Sequence, residues 1–159
     1  MTDEEYMKLA LAEAEAAGKE GEIPIGAVLV WKDRVIAAAH NRRENDHDPT
    51  AHAEILALRR GAHRLGRWRL TECVLYVTIE PCAMCAGAIM NSRLTRLVYG
   101  ALDERAGGIH SHFHICEGAV MNHRLTVTRG VLKKECEEIV LSFFHAQRQS
   151  SHGDVSKWS

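Results

Sequence analysis

Hydrophobic and polar residues follow one another along this chain in a pattern that predicts four helices and five strands. The opening Thr2-x-x-Glu5 is a capping box, and the Ala-, Leu- and Glu-rich stretch after it predicts a helix that stops at Gly18. Apolar, β-branched runs between turn residues predict the strands. The predicted helices span residues 2–17, 50–60, 81–92 and 131–149, and the predicted strands span residues 26–31, 35–39, 73–79, 97–100 and 125–128.

The order of these elements predicts the fold class. Strands and helices alternate through the middle of the chain, which is typical of a sheet covered by helices. Lys32-Asp33 is the turn of a predicted hairpin, whose two strands are antiparallel. The expected architecture is therefore α/β, with a five-stranded mixed sheet flanked by helices. We expect Thr50 or a neighbouring residue to cap the second helix and Pro81 to occupy the first turn of the third.

Length and composition fit a single domain. The chain has 159 residues, of which 46% are hydrophobic and 26% are charged, and this suits one buried core. We expect the domain to span residues 1–150 and residues 151–159 to form a frayed tail. No apolar run approaches the roughly 18 residues of a membrane span, and the acidic, polar start is unlike a signal peptide. The expectation is a cytoplasmic protein with no membrane association.

Charge does not by itself indicate a partner. The net charge is −1, so the chain as a whole shows no preference for nucleic acid. Residues 59–69 carry five arginines and no acid. They fit a solvated helix end and loop, with contact to phosphate as the alternative.

The five cysteines divide into two groups. Their odd number and the lack of an export signal argue against a disulfide framework. Cys73, Cys116 and Cys136 are expected to be small buried side chains, which is where free cysteine is usually found. Cys82 and Cys85 belong instead to a Pro-Cys-Ala-Met-Cys segment that follows the third predicted strand.

That segment and His52-Ala53-Glu54, 26 residues before it, carry the candidate chemistry. Alone, a histidine near a helix start is usually a cap or a core residue, and Cys-x-x-Cys can be a redox pair or half of a structural zinc site. Together they supply three zinc ligands. Cysteines at i and i+3 of a helix point to one side, and in its first turn they face unpaired amides and the positive end of the helix dipole. His52 completes three corners of a tetrahedron.

The fourth corner of that tetrahedron has no protein ligand at finger-like spacing, which is the pattern of a catalytic zinc site rather than a closed structural one. Zinc with two thiolates and a neutral imidazole has about zero net charge and can still polarise a bound water. Glu54 can take that water's proton and pass it to a departing nitrogen. The pair of motifs H-x-E and P-C-x-x-C is a signature of zinc nucleobase deaminases, with one zinc ion expected per chain.

A resemblance to one family extends well beyond the zinc motifs. The segments that carry it are residues 22–28 (EIPIGAV), 41–42 (NR), 48–54 (DPTAHAE), 76–88 (YVTIEPCAMCAGA) and 121–124 (MNHR). Over about residues 4–149 the chain resembles the bacterial tRNA-specific adenosine deaminases. The resemblance implies a three-layer α/β/α cytidine deaminase-like fold, a homodimer, and conversion of adenosine to inosine at the wobble position of a tRNA anticodon.

The same resemblance implies residues that contact the RNA. Asn41 would orient the flipped-out base, while Asn122, His123 and Phe144 would hold anticodon nucleotides. Other roles stay open at each position. Asn41 fits a turn, Phe144 fits the core, and residues 122–124 could simply order a loop.

One stretch departs from the family pattern. Where the family carries a Gly-, Ala- and Ser-rich loop followed by Leu and Met, residues 107–116 read GGIHSHFHIC. In an extended conformation, His110, His112, His114 and Cys116 would all face one side. A second metal site is one interpretation, and a half-exposed loop with incidental histidines is the other.

The sequence therefore predicts a zinc-dependent hydrolase that deaminates adenosine in a tRNA anticodon loop. Two alternatives stay open. The same chemistry could act on a free nucleobase or a small amidine-like compound, such as guanine or cytosine, or the zinc could stabilise an interaction module without turnover. Glu54 argues against the second alternative, because a purely structural site needs neither an open corner nor a neighbouring carboxylate.

Overall fold

Four helices and five strands make up the part of the chain that the computed structural model describes, residues 1–116 and 123–150. Their number and order are those predicted from the sequence. Asn122 and the expected tail, residues 151–159, lie outside the described residues. In chain order the elements are α1 (Asp3–Lys19), β1 (Gly26–Trp31), β2 (Arg34–His40), α2 (Ala53–Leu65), β3 (Cys73–Ile79), α3 (Ala83–Asn91), β4 (Arg96–Ala101), β5 (Thr126–Arg129) and α4 (Lys133–Ser150).

The sheet is mixed, as predicted, with strand order β2-β1-β3-β4-β5. β1 is antiparallel to both β2 and β3, whereas β3, β4 and β5 are parallel to one another. Lys32 and Asp33 make the two-residue hairpin turn with φ values of 48° and 61°, the left-handed conformation that such turns require. The end of β3 therefore lies at the same sheet edge as the start of β1 and the end of β2, and we call this the C-terminal edge of β3.

Helices cover both faces of the sheet, which confirms the three-layer arrangement. Leu29, Leu75 and Leu97 face α2 and α3 in one buried cluster, and the alternate residues of the same strands face α1 and α4 in another. The cysteines expected to be structural are all buried: Cys73 and Cys116 belong to the first cluster and Cys136 to the second. Within the described ranges, we find no helix with the length and apolar character needed to span a membrane.

Helix boundaries differ from the sequence prediction at three places. The capping box of α1 forms as expected, but the helix continues through Gly18 to Lys19, and the left-handed residue that follows is Gly21, at φ 81°. α2 begins at Ala53 with His52 rather than Thr50 at its N-cap. α3 begins at Ala83, so Pro81 precedes the helix instead of lying in its first turn.

The arginine-rich stretch mainly secures the end of α2. Arg60 and Arg64 donate to the main-chain carbonyls of β2, and Arg67 donates to the hydroxyl of Thr71 at 2.9 Å. Arg69 lies over the exposed ring of Trp68, 5.0 Å from its centroid. These contacts favour the interpretation of a solvated helix end.

Candidate active site

Two helix starts meet at the C-terminal edge of β3. Cys82 is the N-cap of α3 and His52 is the N-cap of α2, each with extended backbone angles. An N-cap side chain usually accepts a hydrogen bond from the first turn of its helix, yet neither of these side chains does so. Cys85, three residues into α3, is fully buried. The N-cap side chains therefore contact each other and Cys85 instead of capping their own helices.

The three side chains form a compact ligand group. His52 Nδ1 lies 3.6 Å from Cys82 Sγ and 3.5 Å from Cys85 Sγ, and all three ligand atoms are within 4.8 Å of one another. A tetrahedral zinc ion with Zn–S bonds of about 2.3 Å and a Zn–N bond of about 2.0–2.1 Å would separate nitrogen from sulfur by about 3.5–3.6 Å. The donor set and its spacing therefore fit zinc, and Nδ1 is the ring nitrogen that would bind it.

Glu54 lies beside this group in the first turn of α2. It is 4% exposed, and its carboxylate accepts a hydrogen bond from the thiol of Cys85. Burial raises the pKa of Glu54 to about 7, although the charge of His52 opposes that increase. The arrangement places a carboxyl group with a raised pKa in a buried position next to a candidate metal ligand.

The pKa values of the two thiols in the ligand group shift in opposite directions. The hydrogen bond that Cys82 accepts from Cys85, aided by His52, lowers the pKa of Cys82 to about 4 in spite of partial burial. The same contact and burial raise the pKa of Cys85. The hydrogen bond with Cys82 raises the pKa of His52. The lowered pKa favours the thiolate form of Cys82, which is the form that binds metal.

Known proteins show the same fold and sequence pattern. The MafB19-like deaminase family matches residues 1–148. A tRNA-specific adenosine deaminase of Haemophilus influenzae is 50% identical over 148 residues, which cover 92% of this chain and 86% of that protein. The chain belongs to the tRNA-specific adenosine deaminase family. The membership confirms the resemblance seen in the sequence.

Two solved structures bear on the type of deaminase. A tRNA:A34 deaminase, studied for A-to-I editing at the wobble position of transfer RNA, has a TM-score of 0.82 at 45% identity, covering 85% of this chain and 98% of that one. A guanine deaminase from Bacillus subtilis has a TM-score of 0.62 at 39% identity, covering 64% of this chain and 66% of that one. The family thus shares its fold with deaminases of free bases.

Asn41, which the family resemblance implies as a base contact, lies just after β2 at the same sheet edge as the ligand group. It is 5% exposed, and its side-chain oxygen accepts a hydrogen bond from the main-chain N–H of Arg43 at 3.3 Å. The next residue, Arg42, donates its N–H to the carbonyl of Ala51 at 2.9 Å. The side chain of Asn41 thus closes a turn, and the neighbouring Arg42 ties that turn to the segment leading into His52.

The other two implied RNA contacts within the described residues lie on different parts of the fold. Phe144 of α4 is half-buried, with the guanidinium of Arg105 5.6 Å from its ring centroid, so it is not a core residue. The His123 ring is 2.6 Å from the carbonyl oxygen of Leu94, just before β4. Because β4 runs parallel to β3, that carbonyl lies at the opposite sheet edge from the ligand group. The structure brings His52, Glu54, Cys82 and Cys85 together, and places His123 away from them.

The extended conformation considered for the histidine-rich segment is wrong. Residues 108–112 form turns, the imidazoles of His110, His112 and His114 are exposed, and Cys116 packs in the core. Three main-chain N–H groups of this segment donate hydrogen bonds to the carboxylate of Glu80, which explains the turns. Among the residues that the structure describes, His52, Cys82 and Cys85 are the one group of three or more side chains with metal-binding spacing. A second metal site is therefore not supported.

Sequence reasoning missed two buried carboxylates. Glu22, which is fully buried, accepts hydrogen bonds from the N–H of Glu44 and from both the N–H and the side-chain amide of Asn45. Glu80, 2% exposed, accepts from four main-chain amides and one hydroxyl of residues 103–111. Burial tends to raise the pKa of Glu80, but these hydrogen bonds outweigh it and hold that pKa below its usual range. The available signal was an acid close to an apolar strand, with Glu22 shortly before β1 and Glu80 directly after β3.

The ligand group predicts how zinc binding responds to substitution. Purified wild-type protein should hold about one zinc ion per chain, and Cys85→Ala should lose most of it because two protein ligands bind far more weakly than three. Elemental analysis after gel filtration measures this content. Cys73→Ala is the matched control, since it removes an equally buried thiol outside the group and should keep its zinc. Full zinc occupancy in Cys85→Ala would contradict the ligand assignment.

Proposed function

We propose that this protein is a zinc-dependent hydrolase that converts adenosine to inosine at the wobble position of a tRNA anticodon. The observation that carries the proposal is the ligand group of His52, Cys82 and Cys85 beside the buried carboxylate of Glu54. Membership of the tRNA-specific adenosine deaminase family and the similarity to a wobble-position deaminase structure support the substrate.

The metal in this proposal is one zinc ion per chain. His52 Nδ1 and the two sulfur atoms would hold it, with one position left for a small molecule. When bound, zinc would supply Lewis-acid activation of the attacking water. The two thiolates belong to the start of α3, where the free amides and the helix dipole stabilise negative charge.

Glu54 is proposed to move the proton. Hydrolytic deamination consumes water and adenosine and yields inosine and ammonia, so a proton must travel from the water to the exocyclic nitrogen. A carboxylate oxygen of Glu54 would accept that proton and then donate it to the leaving amine. The shielded position next to Cys85 keeps bulk water from competing for it.

The proposal also assigns RNA contacts to residues outside the ligand group. An adenine must leave its stack before water can reach the amine-bearing carbon, and we propose that the amide of Asn41 orients the flipped base. Phe144 would offer an aromatic face to a neighbouring nucleotide. Asn122 and His123 are proposed to hold other anticodon nucleotides, which for His123 requires RNA beyond the ligand group or a second copy of the chain.

A homodimer and a cytoplasmic location are part of the same proposal. The family resemblance supports the dimer, and the location is proposed because tRNA is decoded in the cytoplasm. The oligomeric state can be measured by light scattering on the zinc-loaded protein, and a monomer at every concentration would contradict the dimer.

A free base is the second candidate substrate. The similarity to a guanine deaminase structure favours it, because the same fold and sequence pattern serve that reaction there. The third possibility, a zinc-stabilised module without turnover, is disfavoured by the buried position of Glu54. A carboxylate costs free energy to bury, so its placement beside an incomplete ligand group indicates chemistry.

The role of Glu54 predicts a large effect of a small substitution. Glu54→Gln keeps the size of the side chain but removes its basic oxygen, so single-turnover inosine formation should fall by at least about a hundredfold. Zinc content and RNA affinity, measured on the same preparation, should not change. Glu4→Gln, an exposed residue of the first turn of α1, is the matched control. A Glu54→Gln protein that binds zinc and RNA and deaminates within about tenfold of wild type would remove the proton-shuttle role.

The choice between RNA and a free base can be measured directly. We expect inosine from an anticodon stem-loop with adenosine at the wobble position, and little from the same strand when a complement pairs it fully, because pairing opposes base flipping. Binding of the stem-loop should weaken as salt increases. Parallel incubations with guanine and cytosine should release no ammonia. Ammonia from a free base without inosine from the loop would establish the second candidate instead.

A further inference from the structure

We propose that Glu80 is a positioning residue of the candidate active site, whose buried carboxylate holds residues 103–111 against the backbone of Cys82 and so fixes that metal ligand in place. The proposal rests on the proposed function in one respect, that Cys82 binds the metal. It assigns a role to a side chain that makes no contact with the reacting atoms.

The carboxylate of Glu80 is the centre to which the loop attaches. Its Oε1 accepts from the N–H of Asp103 at 3.1 Å and from the hydroxyl of Ser111 at 2.5 Å. Its Oε2 accepts from the N–H groups of Ile109, His110 and Ser111 at 3.1, 2.7 and 2.9 Å. Hydrogen bonds to a charged acceptor are stronger than those between neutral groups, so five of them fix both ends of the loop to one residue.

The loop in turn contacts the metal-ligand segment directly. The N–H of Gly108 donates to the carbonyl of Pro81 at 2.7 Å, and Gly107 pairs with Cys82 in an isolated β-bridge. No side chain fits between the two segments. A Cβ atom on Gly107 would lie 2.3 Å from Cδ of Glu80, and one on Gly108 would lie 2.8 Å from the carbonyl carbon of Cys82.

The backbone of Cys82 needs such support because of its position. Cys82 is an N-cap residue, so only its carbonyl takes part in the regular hydrogen bonds of α3, accepting from the N–H of Ala86 at 2.8 Å, and its side chain caps nothing. Glu80 itself is fixed by its N–H, which donates to the carbonyl of Ala101 at 2.8 Å. On the other side of the loop, the side chain of Ile109 is anchored in the core, with 3% exposed. The segment 80–82 is therefore held between β4 and the loop, and Glu80 supplies most of the bonds that join them.

Partial and complete loss of this acceptor can be separated by substitution. Glu80→Gln preserves shape but replaces one carboxylate oxygen with an amide N–H₂, which faces donors and cannot accept from them. Ser111→Ala removes only the hydroxyl bond and leaves the carboxylate with four main-chain donors. Gly107→Ala keeps all polar groups and instead pushes a methyl group into the carboxylate.

The test measures zinc release from the full-length, zinc-loaded protein to an excess of a coloured chelator. Residues that support metal ligands typically change metal affinity by about 10–100-fold when replaced. We therefore expect zinc transfer at least about tenfold faster for Glu80→Gln and Gly107→Ala, and within about twofold of wild type for Ser111→Ala. Amide hydrogen exchange should become faster in residues 103–111 of the first two variants.

A control separates positioning from general instability. Val98→Ala opens a cavity on the α1 and α4 face of the sheet, and it should lower the melting temperature without altering zinc transfer. Zinc transfer within about twofold of wild type in Glu80→Gln would overturn the proposal, as would equal acceleration by Val98→Ala at a matched melting temperature. The assay uses no RNA. A wild-type protein that holds zinc but fails to deaminate the anticodon loop would therefore overturn the proposed function and leave this test intact.

Discussion

Three ligand atoms from two separate helices must come within the reach of one metal ion, and this requirement constrains the rest of the structure. The β1–β2 hairpin and β3 end at the same sheet edge. The segment after the hairpin leads into α2 and the segment after β3 leads into α3, so the two helices start near each other. His52 and Cys82 then occupy equivalent N-cap positions, and neither side chain caps its helix. The N-terminal end of each helix, which is the positive end of its dipole, therefore lies beside the ligand group, an electrostatic setting that favours the thiolates and any negative charge formed nearby.

Three buried glutamates lie on the segments around the ligand group, and their hydrogen-bond partners indicate different roles for them. Glu22 accepts hydrogen bonds from the loop that follows β2, and Glu80 accepts them from the loop that follows β4. Both carboxylates are satisfied by several N–H groups and hold loops against the site. Glu54 faces Cys85 and His52 instead, and burial raises its pKa to about 7. Of the three, Glu54 is the carboxylate suited to accept and release a proton, because the others would lose their loop contacts on protonation.

Much of the fold and the core of the site could be predicted from the sequence. Apolar runs separated by turn residues located the nine elements of the described residues, and the motifs His52-Ala53-Glu54 and Cys82-x-x-Cys85 identified the side chains that the fold brings together. The starts of α2 and α3 lie later in the chain than predicted. Thr50 hydrogen-bonds to Asp48 instead of capping α2, and the N-cap residues are His52 and Cys82, whose side chains make no capping hydrogen bond. The conformation of residues 107–116 could not be predicted, since it depends on Glu80, more than twenty residues away in the chain. In an extended segment the alternating histidines would share one face, but four hydrogen bonds to the carboxylate of Glu80 bend the segment into turns.

The central claim is that the protein supplies three ligands to zinc and leaves the fourth position for the reaction. X-ray absorption at the zinc edge of the purified protein tests it most directly. The account predicts two sulfur neighbours at about 2.3 Å and two lighter neighbours at about 2.0 Å, of which only one shows the scattering pattern of an imidazole ring. Four protein ligands around the zinc, whether a second imidazole or a third sulfur, would contradict it.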